Sequence, residues 1–231
     1  MFWLKSPADG AARLDIDGGR QVRLEPWETA MNAITIIQDE HRRMGAVLTC
    51  LTQLSRELLD PEVQPDLAPF EAILAYLEAF PARFHHPKEE TYLFRALDAR
   101  APDLKPVLDT LRDEHDQGER RLVDLERALE RLRTRPTEEA GNFCKAVDDY
   151  VAFEKAHIRL EETEILPQAA SRLTAEELAV LEDAFLGNED PLFSAGRQRK
   201  YRDLYSYVLA AVPQPHGFAD PWKRQAAPLR A

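Results

Sequence analysis

Two imidazoles and two carboxylates crowd into the stretch Phe84-His85-His86-Pro87-Lys88-Glu89-Glu90-Thr91-Tyr92-Leu93-Phe94, and a second stretch repeats the arrangement. From His157 the chain reads His-Ile-Arg-Leu-Glu-Glu-Thr-Glu-Ile-Leu-Pro, so that His85 maps to His157, Glu89 to Glu161 and Leu93-Phe94 to Ile165-Leu166. Residues four apart on a helix share a face, one turn above the other. Each His-x-x-x-Glu therefore aims one nitrogen and one carboxylate in the same direction, a pair suited to a metal ion.

The elements that must position these groups read as helices. An apolar stripe of Ile34, Ile37, His41, Met44, Leu48 and Leu51 predicts a first helix over about Glu28–Leu59. A lone histidine on such a face is more often a hydrogen-bonded core residue than a ligand. The second helix is expected over about Leu67–Arg100, with Phe70, Leu74, Leu77, Pro81, His85, Glu89, Tyr92 and Ala96 inward. Pro81 and Pro87 each remove a backbone donor and crowd the preceding turn, so a kink or widened turn is expected near His85. In this phase His86 and Glu90 lie about 100° further round.

The third helix, about Asp103–Arg133, carries the stripe Leu104, Leu108, Leu111, His115, Gly118, Leu122, Leu125, Leu129 and Leu132. This is the regularity of a bundle helix. Gly118, one turn beyond His115, leaves space beside it. The fourth, about Thr137–Ala170, places Phe143, Val147, Tyr150, Glu154, His157, Glu161 and Ile165 on one face. Three titratable residues in succession at core positions argue for a site, because an unpaired buried carboxylate is costly. Thr174 and Glu177 form a capping box for a short helix through Phe185, and Arg197–Ala211 reads as one more helix. Both terminal helices are assigned to packing or partner contact, including a homodimer, and not to chemistry.

The expected architecture is all-α, an antiparallel up-down-up-down four-helix bundle with one or two extra C-terminal helices. In that topology His41, His85, His115 and His157 come from four different helices at heights that alternate to one level. Imidazole plus carboxylate without thiolate favours iron, manganese or zinc over copper(I) or an iron–sulfur cluster. Carboxylates from opposite helices can bridge two ions, so a dinuclear centre is expected.

The order Asp39-Glu40-His41, His85-His86-Pro87-Lys88-Glu89-Glu90, Asp113-Glu114-His115 and His157-Ile158-Arg159-Leu160-Glu161-Glu162 resembles the bacterial hemerythrin-like (HHE cation-binding) family over about Asn32–Phe193. The resemblance implies a four-helix bundle with a non-haem di-iron centre that binds or senses oxygen or nitric oxide, with manganese or zinc less favoured. It implies that His41 and His85 serve one iron, that His115 and His157 serve the other, and that Glu89 and Glu161 bridge. Two positions depart from relatives: Glu119 and Glu154 stand where histidines occur, and carboxylates there would favour the oxidised metal. Glu154 is itself a candidate ligand. His86 and Glu90 are read as groups that orient the ligands.

Composition narrows the remaining classes. With 41 acidic against 30 basic residues and a net charge of -11, a general nucleic-acid or anionic-membrane surface is disfavoured. No apolar run of transmembrane length or signal-peptide pattern is evident, so a cytoplasmic location is expected. Cys50 and Cys144 lack Cys-x-x-Cys spacing and read as buried free thiols, a mutual disulfide being the alternative. The organisation expected is a leader over 1–30, either a small hairpin around Asp17-Gly18-Gly19 or a flexible arm, a metal-binding bundle over 31–193, and a helix with a Pro-rich tail over 194–231. The favoured reading is a gas- or redox-responsive di-iron binding protein. A di-iron enzyme acting on peroxide or nitric oxide or repairing iron centres, and a structural bundle with a vestigial site, are the alternatives.

Overall fold

Strong amphipathic periodicity in four long segments gives four helical rods. A computed structural model describes residues 14–17, 20–23, 26–60, 62, 66–188, 190–192 and 204, with side chains from residue 33 onward. Strands β1 (Leu14–Asp17) and β2 (Arg20–Arg23) pair antiparallel, with Leu14 opposite Arg23. The first rod is α1 (Pro26–Glu57). The second runs from α2 (Ala68–Leu77) through a π-helical segment, Glu78–His85, then α3 (His86–Lys88), a second π segment, Glu89–Phe94, and α4 (Arg95–Arg100). After a 3-10 turn at Pro102–Leu104, α5 (Lys105–Thr134) is the third rod. Only Arg135 separates it from α6 (Pro136–Leu160), which continues through a π segment, Glu161–Ile165, into α7 (Leu166–Arg172). Such short connections force neighbouring rods antiparallel.

The π segments have a chemical cause in the prolines. Pro81 lies inside the first, and its missing N–H and bulky ring are accommodated by a wider turn in which the His86 N–H reaches back five residues to the Pro81 carbonyl. The same five-residue reach joins the Leu166 N–H to the Glu161 carbonyl just before Pro167. Widening changes which residues face inward. Along the second rod Leu77, Pro81, His85, Glu89, Leu93 and Leu97 are all buried, at a constant spacing of four. An ideal α-helix of 3.6 residues per turn would drift off that line. The expected Tyr92 and Ala96 are thereby displaced: Tyr92 is exposed, and Leu93, Phe94 and Leu97 take the core positions.

The core is two apolar clusters separated by a polar layer. One gathers Met44, Leu48 and Leu51 with Phe70, Ile73, Leu77, Phe80, Leu125, Leu129, Phe143 and Val147. The other gathers Ala33 and Ile37 with Leu93, Phe94, Leu97, Leu108, Leu111, Ile165 and Leu166. Between them, in every rod, stands a histidine of the predicted stripe. The fifth long element, α8 (Ala175–Leu186), opens with Thr174 and Glu177 in a reciprocal capping box and packs Leu178, Leu181 and Phe185 into the second cluster against α1. Cys50 and Cys144 are buried free thiols, and Cys144 donates to the Ser55 carbonyl. Of the helix expected over Arg197–Ala211 only Leu204, which is buried, lies within the described residues.

Candidate metal centre

At the polar layer the Nε2 atoms of the four stripe histidines converge on the two carboxylates of the duplicated motif. His41 Nε2 lies 3.1 Å from His85 Nε2, 3.5 Å from Glu89 Oε1 and 3.3 Å from Glu161 Oε2, while His85 Nε2 is 3.1 Å from Glu89 Oε1. On the other side His115 Nε2 is 3.6 Å from Glu89 Oε2 and 3.9 Å from Glu161 Oε1, which is itself 3.5 Å from His157 Nε2. Each carboxylate thus turns one oxygen to each side. Two groups of donors result, with all atoms of each within 4.8 Å of one another: His41, His85, Glu89 and Glu161, and His86, Glu89, His115 and His157.

The outer nitrogens are held by a second set of carboxylates arranged in a ring. Glu40 of α1 takes His85 Nδ1 of the second rod at 2.7 Å, and Glu90 of the second rod takes His115 Nδ1 of α5 at 2.8 Å. Glu114 of α5 takes His157 Nδ1 of α6 at 3.0 Å, and Glu162 of the fourth rod returns to His41 Nδ1 of α1 at 3.4 Å. Every rod supplies one carboxylate to the histidine of the next. An Nδ1–H committed to a carboxylate fixes the ring orientation and leaves the Nε2 lone pair aimed inward, the arrangement metal-binding histidines use.

Without a cation this layer is electrostatically incomplete. Both oxygens of Glu89, both of Glu161, and Nε2 of His115 and His157 are buried without a hydrogen-bond partner. Each such atom costs about 1–3 kcal/mol, more when charged. Protons compensate in part. Burial opposes charge on His85, yet the neighbouring Glu89 charge and the Glu40 hydrogen bond push its imidazole up to about 9. Burial opposes charge on His41 as well, and the adjacent carboxylates of Glu161, Glu162 and Glu89 outweigh it, holding its imidazole well above the ordinary range. Burial alone would raise Glu89, but the surrounding imidazoles hold it well below the usual carboxylate range. A divalent cation would displace these protons and satisfy the same atoms.

All six residues expected as ligands, His41, His85, Glu89, His115, His157 and Glu161, meet in the layer. His86 is found closer to the chemistry than expected: it stacks on His115 with ring centroids 4.2 Å apart and joins the second donor group. Burial, reinforced by the His115 charge, keeps its imidazole well below the ordinary range, hence neutral and able to coordinate. Glu90, read as a group that orients a ligand, lies 2.8 Å from His115 Nδ1. Glu119 is exposed and belongs to neither group. Glu154 is buried but also outside both groups; it fills the space beside Gly118, where an added Cβ would meet its Oε1 at 3.0 Å. The Gly118 gap therefore houses a side chain and is not vacant. Burial raises the Glu154 carboxyl, which hydrogen-bonds Tyr150. Sequence reasoning assigned no role to Glu40, Glu114 and Glu162. Their signal was adjacency, since each directly precedes or follows a residue of the donor groups. His216 lies outside the described residues.

Comparison with known proteins agrees with this geometry. Residues 32–169 match the family model of the hemerythrin HHE cation binding domain. No curated protein and no solved structure matches the chain. No helix among the described residues is long and apolar enough to cross a membrane.

Proposed function

Because the chain belongs to the hemerythrin HHE cation-binding domain family, we propose that it is a non-haem di-iron protein that binds or senses a small ligand, oxygen or nitric oxide, or responds to redox state. In this reading His41 and His85 hold one iron, His86, His115 and His157 hold the other, and Glu89 and Glu161 bridge the pair. The observation that carries it is the set of buried carboxylate oxygens and imidazole nitrogens left without partners between the two apolar clusters. Hard carboxylate with borderline imidazole suits iron, and manganese or zinc less closely matches the family's usual metal.

When bound, iron would supply redox chemistry and coordination positions beyond those the protein fills. The two donor groups are unequal in this respect: the first offers two imidazoles and the second three. The first position therefore has more room for an exogenous ligand. Phe80 and Phe185 flank His85, with ring centroids at 6.3 and 5.7 Å. They make the surroundings of His85 apolar and keep bulk water from it.

The test is metal content per chain after expression with iron supplied, followed by optical spectra of the reduced protein exposed to oxygen and to nitric oxide. About two irons per chain and a ligand-dependent spectrum are expected. One zinc, or no metal, overturns the reading. Turnover of peroxide or nitric oxide far above that of free iron would instead make the protein an enzyme.

A further inference from the structure

The four outer carboxylates are alike in role but not in surroundings. The Glu40 side chain is 4% exposed, whereas Glu114, Glu162 and Glu90 are 24, 38 and 43% exposed. Water can orient the last three in several ways. Glu40 is held by the protein: Asn188, in the turn that follows α8, donates from Nδ2 to both of its oxygens at 3.0 and 3.1 Å. The amide cannot invert, because its Oδ1 accepts from Lys88 Nζ, and an ammonium offers only donors while a carboxylate offers only acceptors. Lys88 also donates to the Ala184 carbonyl at 2.7 Å, near the C-terminal end of α8 where a cation is favoured. The chain of contacts runs from Lys88 through Asn188 and Glu40 to His85.

We propose that Asn188 is a positioning residue for the centre: by anchoring Glu40, and through it His85, it makes the His41–His85 metal position the more slowly exchanging of the two. The proposal rests on the di-metal reading above. It also gives α8 and its following turn, which lie outside the four rods, a part in the chemistry. Loss of an outer hydrogen-bond partner of a metal-binding histidine costs about ten- to hundred-fold in metal affinity, and here that loss falls on one position only.

The test loads the full chain with ferrous iron under anaerobic conditions and follows release to a ferrous chelator. Wild type releases iron in a fast and a slow phase. Asn188→Ala accelerates the slow phase several-fold, short of the roughly ten- to hundred-fold that loss of Glu40 itself would give, and leaves the fast phase unchanged. Asn188→Asp keeps the side-chain volume and the Lys88 contact but sets a carboxylate in place of the donor, so that it repels Glu40 and produces at least the same selective acceleration. An unchanged slow phase in both variants, or equal acceleration of both phases in Asn188→Asp, overturns the proposal. A single release phase in wild type overturns it as well. A wild-type chain that takes up no iron overturns the di-iron reading itself, and that result precedes any variant.

Discussion

The two donor groups share Glu89 and differ in most of what surrounds them. On the His41–His85 side Phe80 and Phe185 pack on His85 and Asn188 holds Glu40 behind it, while Glu162, the partner of His41, is 38% exposed. The side of His115 and His157 has an additional imidazole from His86, yet both of its outer carboxylates, Glu90 and Glu114, reach toward water. One group is thus richer in imidazoles with both outer carboxylates within reach of water, while the other has fewer imidazoles and one of its two outer carboxylates, Glu40, held by the protein. A duplicated motif does not produce duplicate sites, because the second motif, His157-Ile158-Arg159-Leu160-Glu161, has isoleucine where the first has His86.

The largest effect should erase the comparison. Glu89→Ala removes an oxygen from both positions at once, so iron content should fall from about two per chain toward none, measured on protein expressed with iron. Retention of one tightly held iron would show that Glu89 serves a single side. Next, His41→Ala and His115→Ala should each empty one position and leave about one iron per chain, whereas His216→Ala, a control remote in sequence from both motifs, should leave metal content unchanged. Equal losses in all three would contradict the assignment.

A smaller effect concerns protons. His85 is raised to about 9, above its ordinary 6.5, so its ion pairing stabilises the metal-free fold fully below pH 6.5 and is lost as pH rises through about 9. The melting temperature of the metal-free protein should therefore fall between those limits. That of the iron-loaded protein should change less, because coordinated imidazoles carry no exchangeable charge there. The smallest effect is expected of Glu154→Gln, which preserves the buried shape beside Gly118 and belongs to neither donor group. Iron content should stay within about a tenth of wild type, on the principle that only ligands and their direct supports move affinity strongly. Loss of an iron would make Glu154 a ligand after all.

Much of this was legible in the residues. The leucine stripe of α5 is buried as read, apart from the partly buried Leu104 at its start, and the fourth rod buries Phe143, Val147, Tyr150, Glu154, His157, Glu161 and Ile165 in the expected phase. Both succeed because the helical period is regular there, or is corrected only near the end by one π segment. The second rod was harder. Two π segments hold its buried residues at a spacing of four, and a reading at 3.6 residues per turn sent Tyr92 inward when it faces water. Prolines announced a widened turn near His85, but not how far the phase would shift beyond it.

Spacing along each helix was enough for the four helical rods and for the inward face of His41, His85, Glu89, His115, His157 and Glu161, because both follow from the period of a single helix. Only the tertiary structure decided that His86 turns to join the second donor group, that Glu119 stays outside in solvent, and that each rod's carboxylate serves its neighbour's histidine. It also decided that Asn188, far along the chain, closes on Glu40. These depend on the rotation of one helix against another and on which rod stands beside which. A periodic pattern records the face a helix buries, but not the partner that face will meet.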